Sequence, residues 1–343
     1  MRTAFLYEFV TGGGCFHIPD AATRSSSLLR EGAAMWRALV EDLAGIPDTR
    51  VITTLDVRVA RDVAVDAEVH AVTGAIEERA LFDALAKATD LTVLIAPEFD
   101  GHLCSRATRL ERLGVRLASP SSDFIRATSD KCGLAELLRA ANVAVPLGQR
   151  ITPSESLPRD FPYPAVLKPN DGAGSMGLRL IADPESARAV PGVDVVCRLE
   201  KYVAGSPCSI SFIGGGGEPL VLPPFQQSLS SDGRFTYQGG RRLMDSSLCQ
   251  RAERLGRDAL AALPCPRGYV GIDLILGGNS DGSADYIIEV NPRLTTSYIG
   301  LRAISNTNLA EAMLATAFGG TSHVSFSREP VDFRADGTLR VPS

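Results

Sequence analysis

Three stretches of this 343-residue chain put polar ligands where a buried strand would call for apolar side chains. The first is Ala165-Val166-Leu167-Lys168-Pro169-Asn170-Asp171-Gly172-Ala173-Gly174-Ser175-Met176-Gly177-Leu178. An apolar strand ends in a lysine, a loop with glycines at 172, 174 and 177 follows, and a strand resumes. Glycine lets backbone N–H groups converge on phosphate oxygens, and lysine supplies a point charge. No helix opens with Gly-Lys-Ser/Thr, so this is not a Walker loop. A glycine-rich hairpin with a surface lysine is the plain alternative. The second stretch is Gly271-Ile272-Asp273-Leu274 together with Ile287-Ile288-Glu289-Val290-Asn291-Pro292-Arg293. Glu289 and Asn291 share one strand face, and Asp273 joins them if the two strands pair antiparallel. Two carboxylates and an amide oxygen suit a hard cation, Mg²⁺ or Mn²⁺, held partly by nucleotide phosphates. The alternative is that the acids pair with arginines, since acids in such apolar strands need a partner. The third stretch, Cys197-Arg198-Leu199-Glu200-Lys201-Tyr202-Val203-Ala204-Gly205, has the form of an adenine slot at a strand end, or of ordinary surface charge.

These residues need elements to hold them. The first third alternates strands (3–10, 51–57, 91–96, 115–118) with helices (26–43, 75–88, 103–113), the pattern of a parallel α/β sheet. The run Gly12-Gly13-Gly14 lacks G-x-G-x-x-G order, so it is either a structural turn or a ligand loop at a strand's carboxyl end. A helix capped by Ser129 or Asp130 runs to about residue 141. A proline-rich linker follows, and then strands at 165–168, 178–182, 195–203, 208–214, 219–222, 269–276 and 285–290. Helices are expected at 246–262, 297–303 and 309–318. Residues 1–125 read as one domain, 126–330 as a second and 331–343 as a tail. Thr295 and Ser297 open a helix, either as N-caps or as ligands of an amino-acid carboxylate. Arg241 and Arg242 read as part of a loop that either binds an acidic substrate or is a surface turn.

Composition narrows the class. Net charge is −5, with 45% hydrophobic and 22% charged residues. This excludes a disordered chain and a broadly basic nucleic-acid binder. No apolar run reaches the length of a membrane span and no signal peptide is visible, so a cytoplasmic location is expected. The seven cysteines show no CxxC spacing, which argues against a disulfide framework or a structural zinc site. Only Lys87, Lys131, Lys168 and Lys201 interrupt an otherwise all-arginine set of 35 basic residues. Where arginine is used almost everywhere, the surviving lysines point to places that need a compact ammonium.

In this order the motifs resemble the ATP-grasp superfamily over residues 129–318, and the preceding α/β segment resembles its preATP-grasp domain. The resemblance implies an α/β domain followed by two α+β subdomains clasping ATP. It implies Lys131 and Lys168 as the phosphate lysines, residues 172–177 (Gly172, Gly174, Ser175 and Gly177 among them) as the glycine loop, and Glu200, Lys201, Tyr202 and Val203 as the adenine hinge. It further implies Asp273, Glu289 and Asn291 as metal ligands and Arg293 as the arginine on a carboxylate or acyl phosphate. One departure concerns ribose: Gly205-Ser206-Pro207-Cys208 carries no acid where several members place one. Tyr7-Glu8-Phe9-Val10-Thr11-Gly12-Gly13-Gly14 and Glu289-Val290-Asn291-Pro292-Arg293-Leu294-Thr295-Thr296-Ser297-Tyr298-Ile299-Gly300-Leu301 resemble the tyramine–L-glutamate ligase family of methanofuran biosynthesis. That resemblance implies small-molecule partners, an amino acid and an amine, with neither nucleic acid nor membrane, and it leaves a homodimer open. Two other readings use the same nucleotide site: a carboxyphosphate-forming enzyme of biotin carboxylase type, and a non-catalytic nucleotide-binding regulator.

Overall fold

The computed structural model describes residues 1–18, 26–59, 64–172, 174 and 176–340. The N-terminal part contains β1 (Arg2–Glu8), α1 (Ser26–Ala44), β2 (Thr49–Asp56), β3 (Glu68–Val72), α2 (Ala75–Ala88), β4 (Leu91–Ile95) and α3 (His102–Arg112). Its four strands are parallel in the order β3-β2-β1-β4. β1 and β4 are buried in unbroken runs because helices cover both sheet faces. The strand expected at 115–118 shrinks to a single parallel bridge between Thr92 and Leu117. β3 was not anticipated from Glu68-Val69-His70-Ala71-Val72: it is an edge strand, half-exposed along most of its length.

Two short helices, α4 (Ser122–Ser129) and α5 (Lys131–Ala140), lead out of this domain. Ser121 caps the first and Asp130 the second, each side chain accepting a backbone N–H three residues on. A small antiparallel sheet follows, built from β5 (Gly148–Ile151), β6 (Ala165–Pro169), β7 (Arg179–Ile181), α6 (Pro184–Arg188) and β8 (Cys197–Lys201), with strand order β5-β8-β6-β7. β5 lies inside the stretch expected to be linker, and it pairs with β8.

The remaining elements are β9 (Ser206–Gly214), β10 (Leu220–Leu229), β11 (Tyr237–Arg242), α7 (Ser246–Ala261), β12 (Gly268–Leu276), β13 (Tyr286–Asn291), α8 (Ser297–Ile304), α9 (Leu309–Ala317), β14 (Asp332–Arg334) and β15 (Leu339–Arg340). Their strands form one sheet in the order β13-β12-β9-β10-β11-β14-β15. Alternate residues face alternate cores. Ile213 and Tyr269 join the core formed by α1, α8, α9 and the N-terminal sheet, while Phe212 and Val270 join the core beneath α4, α5 and α7. The large sheet and the N-terminal domain therefore share one apolar core.

Two expectations are corrected here. Arg241 and Arg242 are on β11, a strand paired on both sides, rather than in a loop. Residues 332–340 are not a tail: β14 extends the large sheet and buries Phe333. The glycine run is a tight turn on β1. Gly12 and Gly14 donate to the carbonyls of Glu8 and Phe9, and Gly13 holds φ 99°, a left-handed conformation that favours glycine.

Candidate active site

A cleft opens between the small sheet and the large one, with α1 also contributing to its lining. Lys131, the first residue of α5, reaches into it. Its Nζ donates to Gly172 O at 2.7 Å and pairs with Glu289 at 2.9 Å. The backbone N–H groups of Lys131 and Cys132 bond to Asn170 O and Oδ1, so the start of the glycine loop is fastened to the start of α5. Lys168, near the end of β6, donates to Glu200 Oε1 at 2.7 Å and to Ile288 O at 3.2 Å. It thereby joins the small sheet to β13. Both lysines are buried. Arg198, which no sequence signal picked out, stands opposite Lys168 in the β6–β8 register and donates to the other oxygen of Glu200. Glu200 thus takes up two cations and orients Lys168.

The chain after Glu200 carries the residues that the resemblance implied as a hinge. Lys201 and Tyr202 give their backbone N–H groups to Leu147 O and Pro164 O. Lys201, Tyr202 and Val203 all line the cleft, and the Tyr202 ring stacks on Phe235 at 19° with centroids 6.2 Å apart. Phe235 itself also lines the cleft. Of the glycine loop, Gly172 and Gly174 line the cleft and Gly177 does not. A Cβ on Gly174 would touch Leu28, so the loop faces α1. Ser175 lies outside the described residues.

On the opposite wall, Asp273 and Glu289 are direct cross-strand partners of β12 and β13. Asp273 accepts from Gln227 at 2.8 Å and from Asn291 at 3.1 Å, an orientation that leaves the Asn291 amide oxygen unused. Burial, and then the charge of Glu289, push the Asp273 carboxyl up to about 7. The set fits a hard divalent cation. It is made entirely of oxygen donors, and a cation there would relieve the repulsion between the two acids.

Arg293 follows β13, and its Nε lies 3.0 Å from Glu98, just beyond β4. Burial works against the charge of Arg293, but Glu98, joined by Glu289 and Glu31, raises the guanidinium above its ordinary value. Thr295 Oγ1 lies 3.1 Å from Tyr269 OH, and Ser297 Oγ 3.0 Å from Ser209 Oγ; both line the cleft at the start of α8. Arg241 and Arg242 stand apart. Arg242 donates to the carbonyls of Ser327 and Glu329, and Arg241 pairs loosely with Asp332 on the surface.

A family model described as the ATP-grasp domain matches residues 128–297, and one described as the pre ATP-grasp 3 domain matches residues 49–125. The chain belongs to the ATP-grasp superfamily. A solved structure from Archaeoglobus fulgidus, described as that of an ATP-grasp superfamily protein, has the same fold: TM-score 0.70 at 19% identity, covering 97% of this chain and 92% of that one. Tyramine–L-glutamate ligase of Methanocaldococcus jannaschii is 33% identical over 123 residues, 35% of this chain and 35% of that protein. Biotin carboxylase 2 of Populus trichocarpa is 24% identical over 237 residues, 64% of this chain and 44% of that protein. The chain therefore spans less than half the length of these two curated relatives. In this ATP-grasp chain the two lysines, the glycine loop and the acid pair all border one cleft.

Proposed function

We propose that the chain is an ATP-dependent carboxylate–amine ligase, joining the side-chain carboxylate of L-glutamate to tyramine or a related aromatic amine in methanofuran-type cofactor biosynthesis. The observation that carries the reading is the convergence of Lys131, Lys168, Asp273, Glu289, Asn291 and Arg293 on a single cleft. A carboxylate is a poor acyl donor because its leaving group would be oxide, and phosphorylation by ATP removes that obstacle. The first step is an in-line phosphoryl transfer, which depends on positioning and charge neutralisation. Lys131 and Lys168 face the phosphates with compact ammonium groups. Val203, at the end of the hinge, has no backbone hydrogen bond of its own among the described residues and offers its N–H to the adenine edge. Asp273, Glu289 and Asn291 would hold the cation, Mg²⁺ or Mn²⁺, which when bound neutralises phosphate charge. Arg293, held by its ion pair with Glu98, grips the carboxylate and then stabilises the oxyanion formed when the amine attacks. The Thr295 and Ser297 hydroxyls at the start of α8 suit the amino acid's own carboxylate.

Similarity to a biotin carboxylase supports a second reading, formation of carboxyphosphate from bicarbonate. An ADP-release screen of acids against amines, with product mass, separates the two. Glutamate plus tyramine should release ADP and yield an amide. Stimulation by bicarbonate alone would favour the second reading, and ADP release with no acid or amine would contradict the first.

A further inference from the structure

The reaction proposed above leaves one need unmet. The incoming amine is an ammonium ion near neutral pH, with a pKa of about 10, and must lose a proton before its nitrogen can attack. None of Lys131, Lys168 and Arg293 can take that proton, and Asp273 and Glu289 are assigned to the cation. A further carboxylate borders the same cleft. Glu31, on the second turn of α1, lines it together with Arg293, Thr295 and Ser297. Among the described residues it makes no hydrogen bond or ion pair. Its neighbour Arg30 is exposed, so this helix had solvent-facing positions for an acid, yet Glu31 borders the cleft. A half-buried carboxylate that makes no hydrogen bond or ion pair is unfavourable for folding.

We propose that Glu31 is the acceptor-amine site of this ligase, binding the ammonium of an amine with an apolar or aromatic body and taking its proton. The assignment rests on the ligase reading. Three observations carry it. Glu31 borders the same cleft as Arg293, the residue assigned to the acyl group that the nitrogen must reach. Met35, one helical turn on and on the same face, also lines the cleft and is itself buried, giving the amine's body an apolar surface beside its charge. The helix is also seated firmly: a Cβ on Gly32 would stand 2.9 Å from Glu8 Oε1, so this turn of α1 lies directly against the end of β1.

Burial raises the Glu31 carboxyl to about 7, against the pull of Arg293 and then Arg30. The other titratable groups nearby are Glu8 at the end of β1 and Tyr237 on β11, whose hydroxyl is raised mainly by burial and in part by the charge of Glu31. A base with a pKa near the working pH is well matched to proton transfer. The step balances. The carboxylate takes one proton from R–NH3+, leaving R–NH2 and a neutral Glu31. The nitrogen lone pair then forms the C–N bond at the acyl carbon. The carbon–oxygen bond to phosphate breaks, and phosphate leaves with that electron pair and the second N–H proton.

The test compares wild type with E31Q, full chain in both cases, supplied with ATP and glutamate and either tyramine or hydroxylamine. Hydroxylamine is already uncharged at neutral pH and needs no base, so it reports acyl phosphate formation. E31Q should lose on the order of 100-fold in amide formation relative to hydroxamate formation. Its residual amide rate should climb with pH as free tyramine accumulates, whereas wild type levels off. E31D, which keeps the carboxylate, should recover part of the loss. Equal losses of amide and hydroxamate, or a raised KM for glutamate with tyramine unaffected, would overturn the assignment. A wild-type chain that makes hydroxamate from no acid would instead refute the ligase reading beneath it.

Discussion

Lys131 and Lys168 each sit between two oxygens, Gly172 O and Glu289 for one, Ile288 O and Glu200 for the other. A planar guanidinium is larger and cannot occupy the same point. K131R and K168R should therefore fold, as circular dichroism would show, yet lose about 100-fold or more in ADP formation despite their preserved charge. E289A should lose at least as much, with its residual rate no longer responsive to Mg²⁺. The scarcity of lysine made these positions visible in the sequence, because a chain so rich in arginine kept lysine at both. Their partners were not visible. Arg198 matters through its place opposite Lys168 in the register, and Glu98 reaches Arg293 across 195 residues of sequence. Such pairings exist only once the chain has folded. Glu31 gives a prediction in stability as well. Its folded pKa of about 7 lies above the ordinary carboxyl value, so the folded state holds the proton more tightly and loses stability as pH rises through that window. Glutamine removes the penalty. E31Q should thus be more stable than wild type at pH 8, by on the order of 2 kcal/mol, and indistinguishable near pH 4, as thermal melts at the two pH values would show. An ordinary surface acid would give no such difference.

Periodicity revealed the strands and helices that carry strong apolar patterns, among them β1, β4, β12, β13, α1 and α7. It missed those whose pattern comes from packing. β11 reads Tyr237-Gln238-Gly239-Gly240-Arg241-Arg242, with no apolar alternation, and is a strand because β10 and β14 hydrogen-bond it from both sides. β14 and β15 are short, yet they place Phe333 against Phe225, with ring centroids 5.5 Å apart, beside α8. Gly300 of α8 accommodates both rings, since a Cβ there would lie 2.6 Å from Phe225 and 2.7 Å from Phe333. F333A should accordingly cost about 3–5 kcal/mol, measurable by denaturant unfolding, because it empties a position that is 1% exposed. A loss below about 1 kcal/mol would mean that the C-terminal strands add little to the sheet.

The N-terminal domain is more than an appendage to the nucleotide site. Its helix α1 shares a core with α8, α9 and the large sheet, and its Glu98 pairs with Arg293 inside the cleft. The glycine loop approaches the same domain, with Asp171 accepting the backbone N–H of Asp100. Nucleotide bound between the two sheets should therefore stabilise the whole chain as one unit. At 100 times its Kd, Mg·ATP should add about 2.7 kcal/mol and raise Tm in a single transition. Two separated transitions would contradict that coupling. The central claim is that a carboxylate attacks ATP and that an amine then displaces phosphate. That chemistry moves one carboxylate oxygen into the released phosphate. The most direct measurement is a turnover with glutamate carrying ¹⁸O in its side-chain carboxylate, followed by mass analysis of the phosphate. One ¹⁸O atom per phosphate released is the predicted result. Phosphate free of ¹⁸O, formed while ADP accumulates, would contradict the account.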